Sequence, residues 1–156
     1  MDLSKSVYVP FTKTSIATLA EPDFAAQDFC WTTALWMLGD NINQVGWPTS
    51  GEMDIAEIRG NDPYTTTSAT HYTTSYLPNT CCFNHSYKVA SLGVGADVSA
   101  GYHTYAVAWL PDSISYYVDN RLISTTTPQN LGGYWGFNNK FFLILNNAVN
   151  AGFSGS

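Results

Sequence analysis

Three acids stand close together in a chain that is otherwise poor in them. Glu52, Asp54 and Glu57 lie in the stretch GWPTSGEMDIAEIRG over 46–60, and two of the protein's three glutamates are among them. Acids and apolar residues alternate over 52–55, the pattern of a strand with two unlike faces. Every second side chain of a strand shares a face, so Glu52 and Asp54 point the same way. Glu57 follows five positions after Glu52, which in a regular strand is the opposite face. One extra residue in a β-bulge near Ile55 and Ala56 restores it, because a bulge sets two residues against one and re-aims the side chains beyond it. Three carboxyls then share a face, and like charges raise the pKa of at least one of them. Two carboxyls, one ionised and one protonated, are what a glycosidase needs.

The elements that must position these acids read as strands. The run 33–38 is continuously apolar and of strand length, which predicts a strand buried on both faces. A loop follows from 39 to 51. Gly60-Asn61-Asp62-Pro63 is dense turn chemistry. Segments 65–76, 86–91, 102–110, 113–118, 121–125 and 141–149 read as further strands, and Asp119-Asn120 suits a tight two-residue hairpin. A Gly- and Asn-rich loop over 129–139 carries Trp135. Before residue 31 the reading is weaker: short strands at 6–9 and 15–19, and a helical turn at 25–29. Strands at short, regular spacing without a strong helix predict an all-β sandwich or barrel. With no repeat and no linker, residues 1–156 are expected to be a single domain, with 1–30 its atypical part.

Composition narrows the partner. Charged residues are 12% and aromatics 15% of the chain, which suits a β protein handling an uncharged polar ligand. The net charge is −6 and the six basic residues are scattered, so nothing can neutralise a row of phosphates and nucleic acid is not the expected partner. No run reaches the roughly 18 apolar residues of a membrane helix. The first residues, Met1-Asp2-Leu3-Ser4-Lys5, lack the charged and apolar regions of a signal peptide. Cys30, Cys81 and Cys82 fit no metal pattern. Adjacency strains a direct Cys81–Cys82 bridge, which leaves pairing of one of them with Cys30, or free thiols. Asn84-His85-Ser86 matches the N-glycosylation sequon.

Beyond the acids themselves, the string TALWMLGDNINQVGWPTSGEMDIAEIRG over 33–60 resembles glycoside hydrolase family 16, and more narrowly its laminarinase branch of endo-β-1,3-glucanases. His71-Tyr72, YHTYAVAWLPDSISYYVD over 102–119 and FFLILNNAV over 141–149 agree in order. The E-x-D-x-x-E core, with two residues before the last Glu, is the form of laminarinases, agarases and carrageenases. Lichenases and plant xyloglucan enzymes have one residue fewer. Sulfated substrates would ask for a basic cleft, and six basic residues in all point away from them.

The resemblance implies an all-β jelly-roll sandwich of two curved antiparallel sheets, concanavalin A-like and here shortened at both ends. It implies Glu52 as nucleophile, Glu57 as general acid/base and Asp54 as the residue that tunes them. Trp47 matches an aromatic platform for a sugar ring. Trp36 is a cleft or core tryptophan, and His71 matches a family His able to bind sugar or an acid. His103 and Asn146 are further candidates for the cleft. Arg59 reads as an ion-pair partner on the face opposite Glu57. Ala108, before Trp109, stands where the family usually has Glu. The expected partner is a β-glucan polysaccharide, and the expected form a monomer without nucleic acid or membrane. The expected location is secreted, cell-surface or periplasmic. No metal or cofactor is needed for the chemistry; a structural calcium away from the cleft has no assignable ligands. The function expected is endo-acting, retaining hydrolysis of β-1,3-glucan, and the alternatives are a non-catalytic β-glucan-binding module or an inactive fragment of the same fold.

Overall fold

A computed structural model describes residues 31–149; the readings at 6–9, 15–19, 25–29 and Cys30 lie outside them. In chain order the elements are β1 (Trp31–Gly39), α1 (Ile42–Val45), β2 (Glu52–Arg59), β3 (Asp62–Thr73), β4 (His85–Gly93), β5 (Tyr105–Leu110), β6 (Ser113–Val118), β7 (Arg121–Thr126), α2 (Pro128–Leu131) and β8 (Phe141–Val149). One sheet has the order β4-β3-β2-β1-β8 and the other β5-β6-β7, with every pairing antiparallel. This is the expected all-β sandwich of the jelly-roll kind.

Between the sheets, Met53, Ile55, Val107, Ile114, Tyr116 and Phe137 form the heart of the core. Tyr116 carries a hydroxyl into it, where a buried polar group must find a partner. The hydroxyl donates to the Ala69 carbonyl at 2.8 Å and lies 2.8 Å from Thr70 Oγ1. The second sheet packs β5 against β2, and β7 against β3 and β4. Strands β1 and β8 extend past it, and on the core side of β8 Leu143 is 37% and Leu145 58% exposed among the described residues.

The bulge is present. Leu35 lies opposite Ala56 and Trp36 opposite Asp54, so Ile55 has no partner on β1. On the other side Asp54 faces Ala69 and Glu57 faces Thr67, three steps along β2 against two along β3. The Ile55 side chain goes into the core with 1% exposure. Its carbonyl, displaced from the ladder, accepts a hydrogen bond from the buried Ser68 Oγ at 2.7 Å. Ser68 lies on β3 between the two residues that pair with Asp54 and Glu57.

Several sequence expectations change. β1 is not buried on both faces: Leu35 and Met37 are buried, whereas Ala34 and Trp36 are half-exposed on the other side. The strand expected over 65–76 starts at Asp62, because β2 and β3 join through Gly60 and Asn61 alone. The strand expected from 102 starts at Tyr105, because Thr104 N donates instead to Asp119 Oδ1 at 2.9 Å. Asp119 and Asn120 form the hairpin turn at φ 49 and 62, the left-handed conformation that a tight hairpin requires. Cys81 is joined to Cys82, contrary to the expectation from adjacency. Cys82 adopts φ 70 within the turn that brings the two sulfurs together.

Ser68→Ala leaves the Ile55 carbonyl buried without its partner. It is expected to lower the free energy of unfolding by about 1–3 kcal/mol, measured by urea denaturation; an unchanged midpoint would show that the bulge does not depend on this bond.

Candidate active site

The register lays the outer face of the five-stranded sheet out in rows. Tyr87, His71, Glu52, Leu38 and Phe142 form the first row across β4-β3-β2-β1-β8. Val89, Ala69, Asp54, Trp36 and Ile144 form the second, and Ser91, Thr67, Glu57, Ala34 and Asn146 the third. The third row contains Glu57 only because of the Ile55 bulge. The three carboxyls thus run along β2 on one face, each with its own neighbours across the strands.

Trp47 reaches the first row from the loop before β2. Backbone bonds close that loop, from Ser50 N to Gly46 O at 3.0 Å and from Gly51 N to Pro48 O at 3.0 Å. Gly51, next to Glu52, has φ 78, and a Cβ there would meet the Phe137 ring at 3.0 Å. The chain therefore turns into β2 at a point where only glycine fits comfortably. The Trp47 indole N–H donates to Glu52 Oε2 at 2.7 Å. The residue expected as a sugar platform is thus also a hydrogen-bond donor to the expected nucleophile.

Of the other expected residues, His71 Nε2 lies 3.0 Å from Asp54 Oδ2. Trp36 sits beside Asp54, on the cleft side of its strand, and its indole N–H donates to Asn146 Oδ1 at 2.7 Å. Asn146 shares the row of Glu57 through Ala34. His103 is not with them. It precedes β5 of the other sheet, and its Nδ1 lies 2.6 Å from Asp119 Oδ2 at the β6–β7 turn. Its ring closes the end of a hairpin, so the cleft assignment is corrected. Arg59 is corrected as well. Residues two apart on a strand share a face, so Arg59 lies on the face of Glu57, where its charge lowers the Glu57 pKa.

His85 was not among the expected residues. Its Nε2 lies 2.8 Å from His71 Nδ1, and its ring centroid is 4.4 Å from that of Trp47. Tyr87 lies beside both histidines, at 5.6 and 5.8 Å between centroids. The signal for these two was faint: His85, Tyr87 and Val89 alternate with polar neighbours along a strand of low hydrophobicity.

Electrostatics follow from burial. Asp54 is 3% exposed, and burial, with the Glu57 charge adding to it, pushes its pKa up to about 8 while a hydrogen bond with Glu52 opposes the rise. Burial and then the Asp54 charge push Glu52 up to about 7; the His71 charge and the Trp47 N–H oppose this. Glu57 is raised by burial and by the Glu52 charge, against the charges of His71 and Arg59. The most buried carboxyl carries the largest penalty for ionising. Asp54 therefore holds a proton most readily, and Glu52, which receives the Trp47 N–H, is the better placed to ionise. Glu52, Asp54 and His71 each bring one oxygen or nitrogen within 4.8 Å of the others. That spacing is compatible with a cation as well as with a shared proton.

The sequence model of Glycosyl hydrolases family 16 matches residues 20–152. The chain is 32% identical over 136 residues to a glucan endo-1,3-beta-glucosidase of Cryptopygus antarcticus, covering 78% of this chain and 46% of that protein. It is 32% identical over 146 residues to a beta-1,3-glucan-binding protein of Penaeus monodon, covering 78% of this chain and 39% of that one. The laminarinase catalytic domain of Thermotoga maritima superposes with a TM-score of 0.67 at 36% identity, covering 80% of this chain and 49% of that domain. The chain thus spans about half or less of the length of the relatives it matches.

The raised carboxyls make a prediction about stability. Their folded-state values lie above the ordinary carboxylate range near ~4, so the folded state binds more protons than the unfolded one between about pH 4 and pH 8. Their contribution is fully present at the acid end and is lost as the pH rises through the folded values. The thermal midpoint is expected to fall between pH 5 and pH 8.5, and Asp54→Asn to flatten that fall. A midpoint that rises over this interval, or an Asp54→Asn profile parallel to wild type, would contradict the assignment.

Proposed function

The chain belongs to the glycosyl hydrolases of family 16, and from that membership we propose that it cleaves internal β-1,3 linkages of a laminarin-type glucan with retention at the anomeric carbon. The observation that carries the reading is the bulge at Ile55, which sets Glu57 on the face of Glu52 and Asp54.

The chemistry then proceeds in two steps. Asp54 holds a proton, and Glu52, which receives the Trp47 N–H, is ionised. Glu52 attacks the anomeric carbon while protonated Glu57 gives its proton to the departing oxygen. The product is a glycosyl ester on Glu52. Glu57, now a carboxylate, takes a proton from water, and that water displaces Glu52 and restores both acids. The Trp47 N–H steadies the charge on Glu52 before attack and after release. Trp36, held by Asn146, and Trp47 offer flat apolar faces for sugar rings on either side of the acids. The double displacement requires neither metal nor organic cofactor.

A second reading rests on one comparison. The Penaeus monodon relative, named a beta-1,3-glucan-binding protein, is as similar as the glucosidase. The outer face would then bind a β-glucan without cutting it.

The test is release of reducing ends from laminarin, lichenan, agarose and carrageenan, with sizing of the products. Laminarin is expected to give internal cuts. Glu52→Gln and Glu57→Gln are each expected to lower the rate by about 10³-fold or more. Laminarin bound but left intact would favour the binding reading, and no release from any of the four would remove the hydrolytic one.

A further inference from the structure

We propose that His85 is a positioning residue of this site: from β4 it holds His71 against Asp54 and Trp47 against Glu52, and so governs how a proton is divided between the two carboxyls. The inference builds on the hydrolytic reading above and extends it to a residue that touches neither acid.

The geometry has two arms. In the first, His85 Nε2 meets His71 Nδ1 at 2.8 Å, and His71 Nε2 meets Asp54 Oδ2 at 3.0 Å. In the second, the His85 ring lies 4.4 Å from the Trp47 ring at 45°, and Trp47 Nε1 meets Glu52 Oε2 at 2.7 Å. The arms start on one imidazole and end on different carboxyls. Both intermediates are rings that could turn. Without a partner on Nδ1, His71 can rotate or change tautomer. Without a ring packed against it, the partly exposed Trp47 can swing its N–H away from Glu52.

The groups facing His85 are His71 from β3, Tyr87 from β4 and Trp47 from the loop before β2, with Glu52, Asp54 and Glu57 of β2 behind His71. Burial lowers the His85 pKa, which keeps the ring neutral and its Nε2 lone pair available. His71 then donates from Nδ1, and its Nε2 faces Asp54 with one proton held between them. That proton stays away from Glu52. The Trp47 N–H acts in the same direction, since a donor to a carboxylate favours its ionised form. Loss of His85 weakens both arms, and both losses raise the proton affinity of Glu52.

The test uses the full chain with His85→Phe and His85→Gln. Phenylalanine keeps a flat ring and removes the nitrogen; glutamine can place an amide oxygen where Nε2 was. In His85→Phe the acid limb of the kcat/KM profile on laminarin is expected to move up by about 0.5 to 1 pH unit, with the basic limb unmoved. In His85→Gln the acid limb is expected to stay within about 0.2 unit of wild type. A rate lowered equally at every pH would overturn the proposal, as would a limb that moves alike in both variants.

A second measurement needs no turnover. Long-range ¹H–¹⁵N spectra resolve the chain's three histidines. His71 is expected to carry its proton on Nδ1 in wild type and in His85→Gln, and to lose that signature in His85→Phe. An unchanged His71 in His85→Phe would overturn the inference whatever the substrate. Failure on laminarin with the expected His71 change would overturn the hydrolytic reading and leave the positioning role standing.

Discussion

The site depends on one residue that has no partner. Ile55 is the extra step on β2, and everything beyond it on that strand points the other way from where simple alternation would send it. Glu57 joins Glu52 and Asp54, and Ile58 rather than Glu57 is buried. An unpaired residue in the centre of a sheet loses ladder bonds, and a buried carbonyl without a donor costs about 1–3 kcal/mol. Two features offset this. The Ile55 side chain fills the core, and Ser68 supplies the missing donor. The bulge is thus held by packing on the core face and by a neighbouring strand at its side.

The second cost is electrostatic. Three carboxyls along one strand repel each other, and the most buried of them resists ionising most strongly. The fold does not remove this conflict but divides it. Asp54, in the middle and deepest, keeps a proton. Glu52 meets an indole N–H, and Glu57 feels the positive charge of Arg59. Environments that push paired acids apart are what acid–base chemistry at neutral pH requires. A site arranged for stability alone would not gather these charges, which is why the acids, and not the sandwich, indicate function.

Much of this was legible in the chain. The acid spacing required a bulge near Ile55 and Ala56, and one is there. The strands 113–118 and 141–149 and the Asp119-Asn120 hairpin were marked by local chemistry that tertiary packing did not override. Elsewhere local pattern was insufficient. The face of Trp36 depends on its pairing with Asp54, which periodicity within one strand cannot reveal. Arg59 was legible too, since two positions after Glu57 the alternation alone returns to the face of that acid. His103 lies in a segment that matches the family well, but a matching segment does not say which sheet it joins. His85 stands just before the segment read as a strand over 86–91, and its role appears only when β4 is laid beside β3. Among the described residues the second sheet has three strands against five in the first, and Leu143 and Leu145 are exposed.

The central claim is that Glu52 forms a covalent bond to sugar while Glu57 moves the proton. It is tested most directly by trapping. A 2-deoxy-2-fluoro laminaribiosyl fluoride loses fluoride readily and forms a glycosyl ester that hydrolyses slowly. Mass spectrometry of the digested protein should find one fluoro-glycosyl adduct on the peptide carrying Glu52, absent in Glu52→Gln. An adduct on Glu57, or cleavage of laminarin with inversion and no adduct anywhere, would contradict the account.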